Sequence, residues 1–308
     1  MDTSDLLQAA LTGDVRSIGR VLTEIESRSD AGSHLFAELY AVGGSSWTSG
    51  ITGTPGAGKS TLVASMIPML STPNERLAVV AVDPSSPFTG GAILGDRIRM
   101  GQPAQDANVY IRSVANRGSL GGIAETTPAI VSSLDGLGFA EIIVETVGVG
   151  QSEVEIATTA DTTVVAVNPG WGDTVQTSKA GFLEIADIFV VNKADLDGAE
   201  QAVRDLELML SLGPSAGWTP PVVATVATQG EGVEDVVDAI RRHREHLATT
   251  GELLVRRRDR AARELAAAIR QSIILAADAD RDTDDLVQMI VDHQVDPWTA
   301  AGRALGAE

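Results

Sequence analysis

"GTPGAGKST" (residues 53–61) decides how the rest of the chain is read. Gly53, Gly58, Lys59 and Ser60 satisfy the spacing G-x-x-x-x-G-K-[ST] of a phosphate-binding loop. A strand pattern at 48–52 precedes it and an amphipathic helical pattern follows it. Glycines let successive backbone N–H groups converge on phosphate oxygens, and the start of the helix adds its dipole. On this reading Gly53, Pro55, Gly56, Ala57 and Gly58 line the phosphates of a nucleotide. Lys59 bridges the outer phosphates, Ser60 offers its hydroxyl to Mg²⁺, and Thr61 reaches an inner phosphate.

Outward from the loop, short apolar strands alternate with amphipathic helices. The strands fall at 48–52, 77–82, 109–112, 141–146, 163–167, 188–191 and 222–225, and several are apolar throughout. Such runs suit a parallel sheet covered on both faces, so the fold class is α/β, a doubly wound, mostly parallel sheet. Residues 1–42 show only helical spacing, with Ile18, Val21, Leu22 and Ile25 on one face. "EGVEDVVDAIRRHREHL" (231–247) closes the α/β region, with His243 and His246 as solvated helix residues. From 252 onward the pattern is again helical, with Ala262, Leu265, Ile269, Ile273 and Ala276 on one face. "DPWTAAGRAL" (296–305) opens with an Asp cap and a Pro at the first helical position. The expected division is a helical segment at 1–42, a P-loop domain at 43–250 and a helical arm at 251–308.

Composition narrows the partners. Of 308 residues, 44% are apolar, enough for a sizeable core. Against 42 acidic residues stand 23 Lys plus Arg, a net charge of −19, which repels nucleic acid and anionic membranes. With no cysteine, disulfides and thiolate metal sites are excluded. The chain begins without a signal-peptide pattern and has no membrane-spanning run, so a cytoplasmic location is expected. There are 20 Arg but only three Lys, namely Lys59, Lys179 and Lys193. A Lys is therefore expected where a compact, mobile ammonium is needed.

The base is read from "VVNKAD" (190–195). An edge-on Asp195 can accept two hydrogen bonds from guanine N1–H and its amine, whereas adenine N1 carries no proton to give. A site built on such bonds rejects the wrong base by roughly 10⁴ or more. Lys193 lays its stem along the base and Asn192 ties neighbouring loops together. Val226 and Ala227, in "TVA" after the last strand, are weaker candidates for the guanine carbonyl. The ligand expected is GTP or GDP.

Acids at strand ends supply the rest. Glu145, in "IIVETVGVGQSE" (142–153), approaches Mg²⁺, and Gly148 offers its N–H to the γ-phosphate. Asp83 and Asp96, in "AVDPSSPFTGGAILGDRIRM" (81–100), are candidates for orienting water and holding the metal. The loop "NPGWGDTVQTSKAG" (168–181) carries Lys179, read either as a solvated helix residue or as a lysine drawn to the nucleotide. Its Trp171 reads equally as a partner contact or as packing. The candidate catalytic set is Lys59, Asp83, Glu145 and Lys179, and the metal set is Ser60, Asp83, Asp96 and Glu145.

Together "GTPGAGKST", the 81–100 stretch, "RSVANRGSLGG" (112–122), "VETVGVGQSE", "NPGWGDTVQTSKAGFLEIADIFVVNKAD" and "DPWTAA" resemble the MeaB/ArgK P-loop GTPases. These are chaperones of adenosylcobalamin-dependent methylmalonyl-CoA mutase. The resemblance implies slow GTP hydrolysis that gates cofactor delivery to that mutase or a related acyl-CoA mutase. It also implies switches at 83–99, 145–153 and 168–179, and homodimerisation through the C-terminal arm. Pro87-Phe88 departs from the family pattern in the first switch, and "ATVAT" is a loose base-contacting loop. A nickel-delivering GTPase would need a metal-handling cluster that a Cys-free chain lacks. A signal-recognition GTPase would need a Met-rich basic domain. A nucleotide-dependent kinase of a lysine/arginine/ornithine transport system predicts ATP use, which "NKAD" disfavours.

Overall fold

Stretches such as "LAVVAV" have no polar face, so each residue must be covered from above or below the sheet. The computed structural model satisfies this with a seven-stranded sheet. It describes residues 2–73, 75–84, 108–116, 126–146, 152–171, 176–212, 217–278 and 283–304. The strands are β1 (Trp47–Gly53), β2 (Arg76–Pro84), β3 (Val109–Asn116), β4 (Phe139–Thr146), β5 (Thr162–Val167), β6 (Ile188–Asn192) and β7 (Val222–Thr225). Their order is β3-β2-β4-β1-β5-β6-β7, and all neighbouring pairs are parallel. Every C-terminal strand end therefore opens on one rim, where ligands bind in such sheets.

Alternate residues of β2 show the two-sided burial. Leu77 and Val79 face a cluster with Leu62, Met66, Val236 and Ile240, whereas Ala78, Val80 and Val82 face Ile18, Leu22, Leu35 and Ile130. The first face is covered by α4 (Lys59–Leu70) and α9 (Val233–Thr250). The opposite face is covered over β2 and β4 by α1 (Thr3–Leu11), α2 (Val15–Ser27), α3 (Asp30–Val42) and α5 (Thr127–Gly136). Residues Ser152–Thr159 form α6. Over β5 and β6 lie α7 (Gln176–Ile185) and α8 (Ala199–Ser211), with Trp171, Phe182 and Leu206 in the same core cluster. Trp171 is 3% exposed, so of the two readings of that side chain the structure selects packing.

Carboxylates hold the opposite rim. Asp161 accepts the Thr48 N–H at 3.1 Å and Asp187 accepts the Thr163 N–H at 2.8 Å. Asp135 accepts the N–H groups of Gly44, Ser45 and Ser46, fixing the "GGSS" connection into β1. His243, expected on the solvated side of its helix, is fully buried. Its Nδ1 lies 2.9 Å from Thr162 Oγ1, its Nε2 lies 3.3 Å from Asp187 Oδ1, and its ring lies 4.8 Å from that of Trp218. The hydrogen bond at Nδ1 and the carboxylate beside Nε2 offset part of the cost of burying this polar ring, which helical periodicity does not register.

The chain divides into two units, Met1–Leu253 and Leu254–Glu308. The second contains the continuation of α10 (Glu252–Asp278), α11 (Thr283–Val291) and α12 (Pro297–Ala304). Asp296 caps α12, accepting the N–H groups of Trp298 at 2.9 Å and Thr299 at 3.0 Å. Among the described residues no helix is long and apolar enough to cross a membrane.

Candidate functional site

The loop after β1 is shaped by two glycines. Gly53 has φ +131°, and a Cβ there would stand 1.8 Å from the Ala166 carbonyl oxygen of β5. Gly58 has φ +84°, and a Cβ would stand 2.6 Å from Asn192 Nδ2. Between them the loop turns back, with the Ala57 N–H on the Thr54 carbonyl at 3.1 Å, and α4 begins at Lys59. Gly58, the cap residue, has no side chain to occupy the first amides of that helix. Those amides and the helix dipole make the start of α4 an anion site. Pro55, Gly56 and Thr61 lie exposed around it, and Ala57 is buried beneath it.

Lys59 is 7% exposed. Its ammonium donates to the carbonyls of Gly53 at 2.9 Å and Thr54 at 3.1 Å, which aims it across the mouth of the loop. One residue on, Ser60 Oγ donates to Glu145 Oε1 at 2.6 Å. Glu145 stands at the end of β4, where Ile51 pairs with it across the sheet. The next pair outward, Thr52 and Thr146, joins through its hydroxyls at 3.0 Å. A hydroxyl and a buried carboxylate in contact are hard oxygen donors of the kind Mg²⁺ takes, so this pair fits the metal.

Asn192 is the hinge of the base side. Its Nδ2 donates to the Ala57 carbonyl at 2.7 Å, and its Oδ1 accepts from Thr225 Oγ1 at 3.0 Å and the Ala227 N–H at 3.2 Å. One buried amide thus joins the phosphate loop, the end of β6 and the turn after β7. Beyond it Lys193 and Asp195 lie exposed at the same rim, Lys193 with φ +59°. The N–H of Val226 is engaged by the Glu231 carbonyl at 3.0 Å, so both amides of the 226–227 pair are used within the protein.

The structure therefore gathers Lys59, Ser60, Glu145 and Asn192 around one loop, with Lys193 and Asp195 on the adjoining strand end. Asp83 lies near the end of β2, paired with Ala115, but its side chain is outside the described residues. Lys179 is part of helix α7 rather than a loop, and its side chain is likewise outside them. Asp96 and Gly148 fall outside the described residues altogether. Thr54 and Asn168 were not singled out by sequence. Thr54 Oγ1 donates to Asn168 Oδ1 at 3.2 Å. Their signal is slight, a variable position inside the loop motif and a strand-terminal Asn.

Known proteins resemble this chain over most of its length. The family described as Methylmalonyl Co-A mutase-associated GTPase MeaB matches residues 18–282. A putative GTPase of Pyrococcus abyssi is 42% identical over 308 residues, covering 98% of this chain and 95% of its own. The mitochondrial methylmalonic aciduria type A homolog of Mus musculus is 39% identical over 213 residues, 68% of this chain and 51% of its own. A crystal structure of an LAO/AO transport system kinase superposes with a TM-score of 0.74 at 24% identity, covering 98% of this chain and 96% of that one. That last likeness bears on the fold alone.

Proposed function

The chain belongs to the MeaB family of mutase-associated GTPases, and from that premise we propose that it is a GTP-hydrolysing chaperone of an adenosylcobalamin-dependent acyl-CoA mutase, methylmalonyl-CoA mutase first among the candidates. The family match over residues 18–282 is the observation that carries this reading. In it, hydrolysis gates loading and protection of the mutase cofactor, in the cytoplasm, with the helical arm at 251–308 joining two copies.

The groups around the loop have the chemistry the reaction needs. Phosphoryl transfer to water asks the protein mainly to position the phosphates and neutralise charge. The α4 amides hold the phosphates, and Lys59 exchanges carbonyl partners for phosphate oxygens. Ser60 and Glu145, with Asp83 and Asp96 as further candidates, would hold Mg²⁺, which would neutralise charge on the transferring group. Asp195 selects guanine, and Lys179 is proposed to close on the nucleotide in one state.

Turnover of GTP and of ATP, with and without purified methylmalonyl-CoA mutase, tests the proposal. Slow GTP-specific hydrolysis that rises with the mutase is expected. GTP hydrolysis indifferent to the mutase would point to a different client. Label passing from ATP to a protein would overturn both the guanine assignment and the chaperone.

A further inference from the structure

Two asparagine side chains tether the phosphate loop from two neighbouring strand ends on the same side of β1, and only one of them belongs to the guanine motif. Asn192 holds the Ala57 carbonyl from the β6 side. Asn168, the residue after β5, the strand between β1 and β6, accepts the Thr54 hydroxyl at 3.2 Å. The Thr54 N–H is fixed to the Ala166 carbonyl of the same strand at 3.1 Å. Thr54 is also one of the two residues whose carbonyls receive the Lys59 ammonium.

Asn168 opens a turn that leads away from the site. Its carbonyl accepts the Trp171 N–H at 3.2 Å, with Gly170 at φ +86° inside the turn. Pro169 flanks the head of α8, where a Cβ on Gly198 would lie 4.0 Å from the Pro169 Cβ. Trp171 itself is packed in one core cluster with Phe182 of α7 and with Ala199 and Ala202 of α8. A chain of contacts thus runs from the Lys59 ammonium through Thr54 and Asn168 to a buried indole.

An ammonium has three N–H donors, and phosphate oxygens are stronger acceptors than neutral carbonyls. An ammonium that turned toward them would give up its hold on the Thr54 carbonyl, and the Thr54 peptide would relax. The hydroxyl bond carries that relaxation to Asn168, and a core at crystal-like density passes small shifts on rather than absorbing them. We infer that Asn168 is a positioning residue which, through Thr54, couples nucleotide occupancy of the phosphate loop to the 168–171 turn, so that the surroundings of Trp171 change with the bound nucleotide. This rests on the reading of residues 53–61 as the guanine-nucleotide site.

The full-length protein is titrated with GDP and with a non-hydrolysable GTP analogue, binding being measured by calorimetry and the response by tryptophan emission. Trp47, Trp218 and Trp298 are the other emitters, so the Trp171→Phe variant measures the share owed to Trp171. Wild type is expected to bind and to change its emission, and Trp171→Phe to bind and lose most of that change. Asn168→Ala and Thr54→Val should each cut the change per bound nucleotide to below about a third, with the double variant no worse than either. Thr54→Ser keeps the hydroxyl and should keep the response. This charge-neutral pair preserves the test should Asn168→Ala fail to fold. The coupling is overturned if Trp171→Phe keeps the signal, if Thr54→Val and Thr54→Ser respond alike, or if wild type binds in silence. Wild type that binds no guanine nucleotide overturns the site assignment itself.

Discussion

At residue scale the phosphate loop is a problem of space as much as of charge. Gly56 and Gly58 both have positive φ, +75° and +84°, but only at Gly58 would a side chain meet the buried Asn192 amide. Gly58→Ala combines left-handed strain with displacement of Asn192 from Ala57, Thr225 and Ala227. Gly56→Ala has nothing within 4 Å of its new Cβ and carries the strain alone. Strain of this kind costs about 1–3 kcal/mol, so urea melts should show a loss of that size for Gly56→Ala and a larger one for Gly58→Ala. Calorimetry should separate them, with GDP affinity falling at least about tenfold further in Gly58→Ala, since tenfold is about 1.4 kcal/mol. Equal affinities would show that Asn192 plays no part in holding the loop. The Lys59, Ser60 and Asn192 arrangement was legible because spacing within a motif fixes geometry. The Thr54–Asn168 bond was not, because it joins residues 114 apart through a loop position that the motif leaves free.

At the scale of elements, all seven strands were legible, most of them from apolar runs, and β1 from its place ahead of the loop motif, since it is buried throughout although it reads WTSGITG. The surroundings of α9 were not. Periodicity marks which residues of a helix can face the core, yet His243 is buried by what Thr162 and Asp187 offer it from β5 and the turn before β6. The neighbouring Arg244 reaches back to Glu141 of β4 at 2.8 Å, with its guanidinium 5.1 Å from the Trp47 ring centroid. Burial pushes the Glu141 carboxyl up from 4.5 to about 7, against the opposing pull of Arg244. A carboxyl that holds its proton more tightly when folded favours the fold at low pH. Its contribution is fully present below about pH 4.5 and is lost as pH rises to about 7. Glu141→Gln keeps an acceptor for Arg244 and removes the ionisation. The variant should melt higher than wild type at pH 8, by about 1–3 kcal/mol, and the two should converge toward pH 4.5. Thermal melts across that range check it, and a variant less stable at pH 8 would mean that the ion pair outweighs the burial.

At the scale of the whole molecule, the two units differ in what they leave uncovered. Leu265, Ile269 and Ile273 recur every fourth residue along α10 and are 62%, 51% and 42% exposed. Burying such side chains against a second copy would contribute about 1.5–3 kcal/mol each, minus the entropy of association. Two chains of net charge −19 repel each other, so the apolar stripe must overcome a long-range penalty that salt screens. Five arginines between 256 and 263 lower that penalty locally, because the acidic excess lies elsewhere in the chain. The proposed dimer should therefore tighten as salt rises from low to roughly physiological strength, where the screening length falls to about 8 Å. Leu265→Asp with Ile269→Asp puts charge into the stripe and should give a monomer at every salt concentration, with GDP binding retained. Light scattering coupled to size exclusion decides the matter. A wild type that stays monomeric throughout the salt series, or a double variant that still dimerises, would remove the arm from the interface.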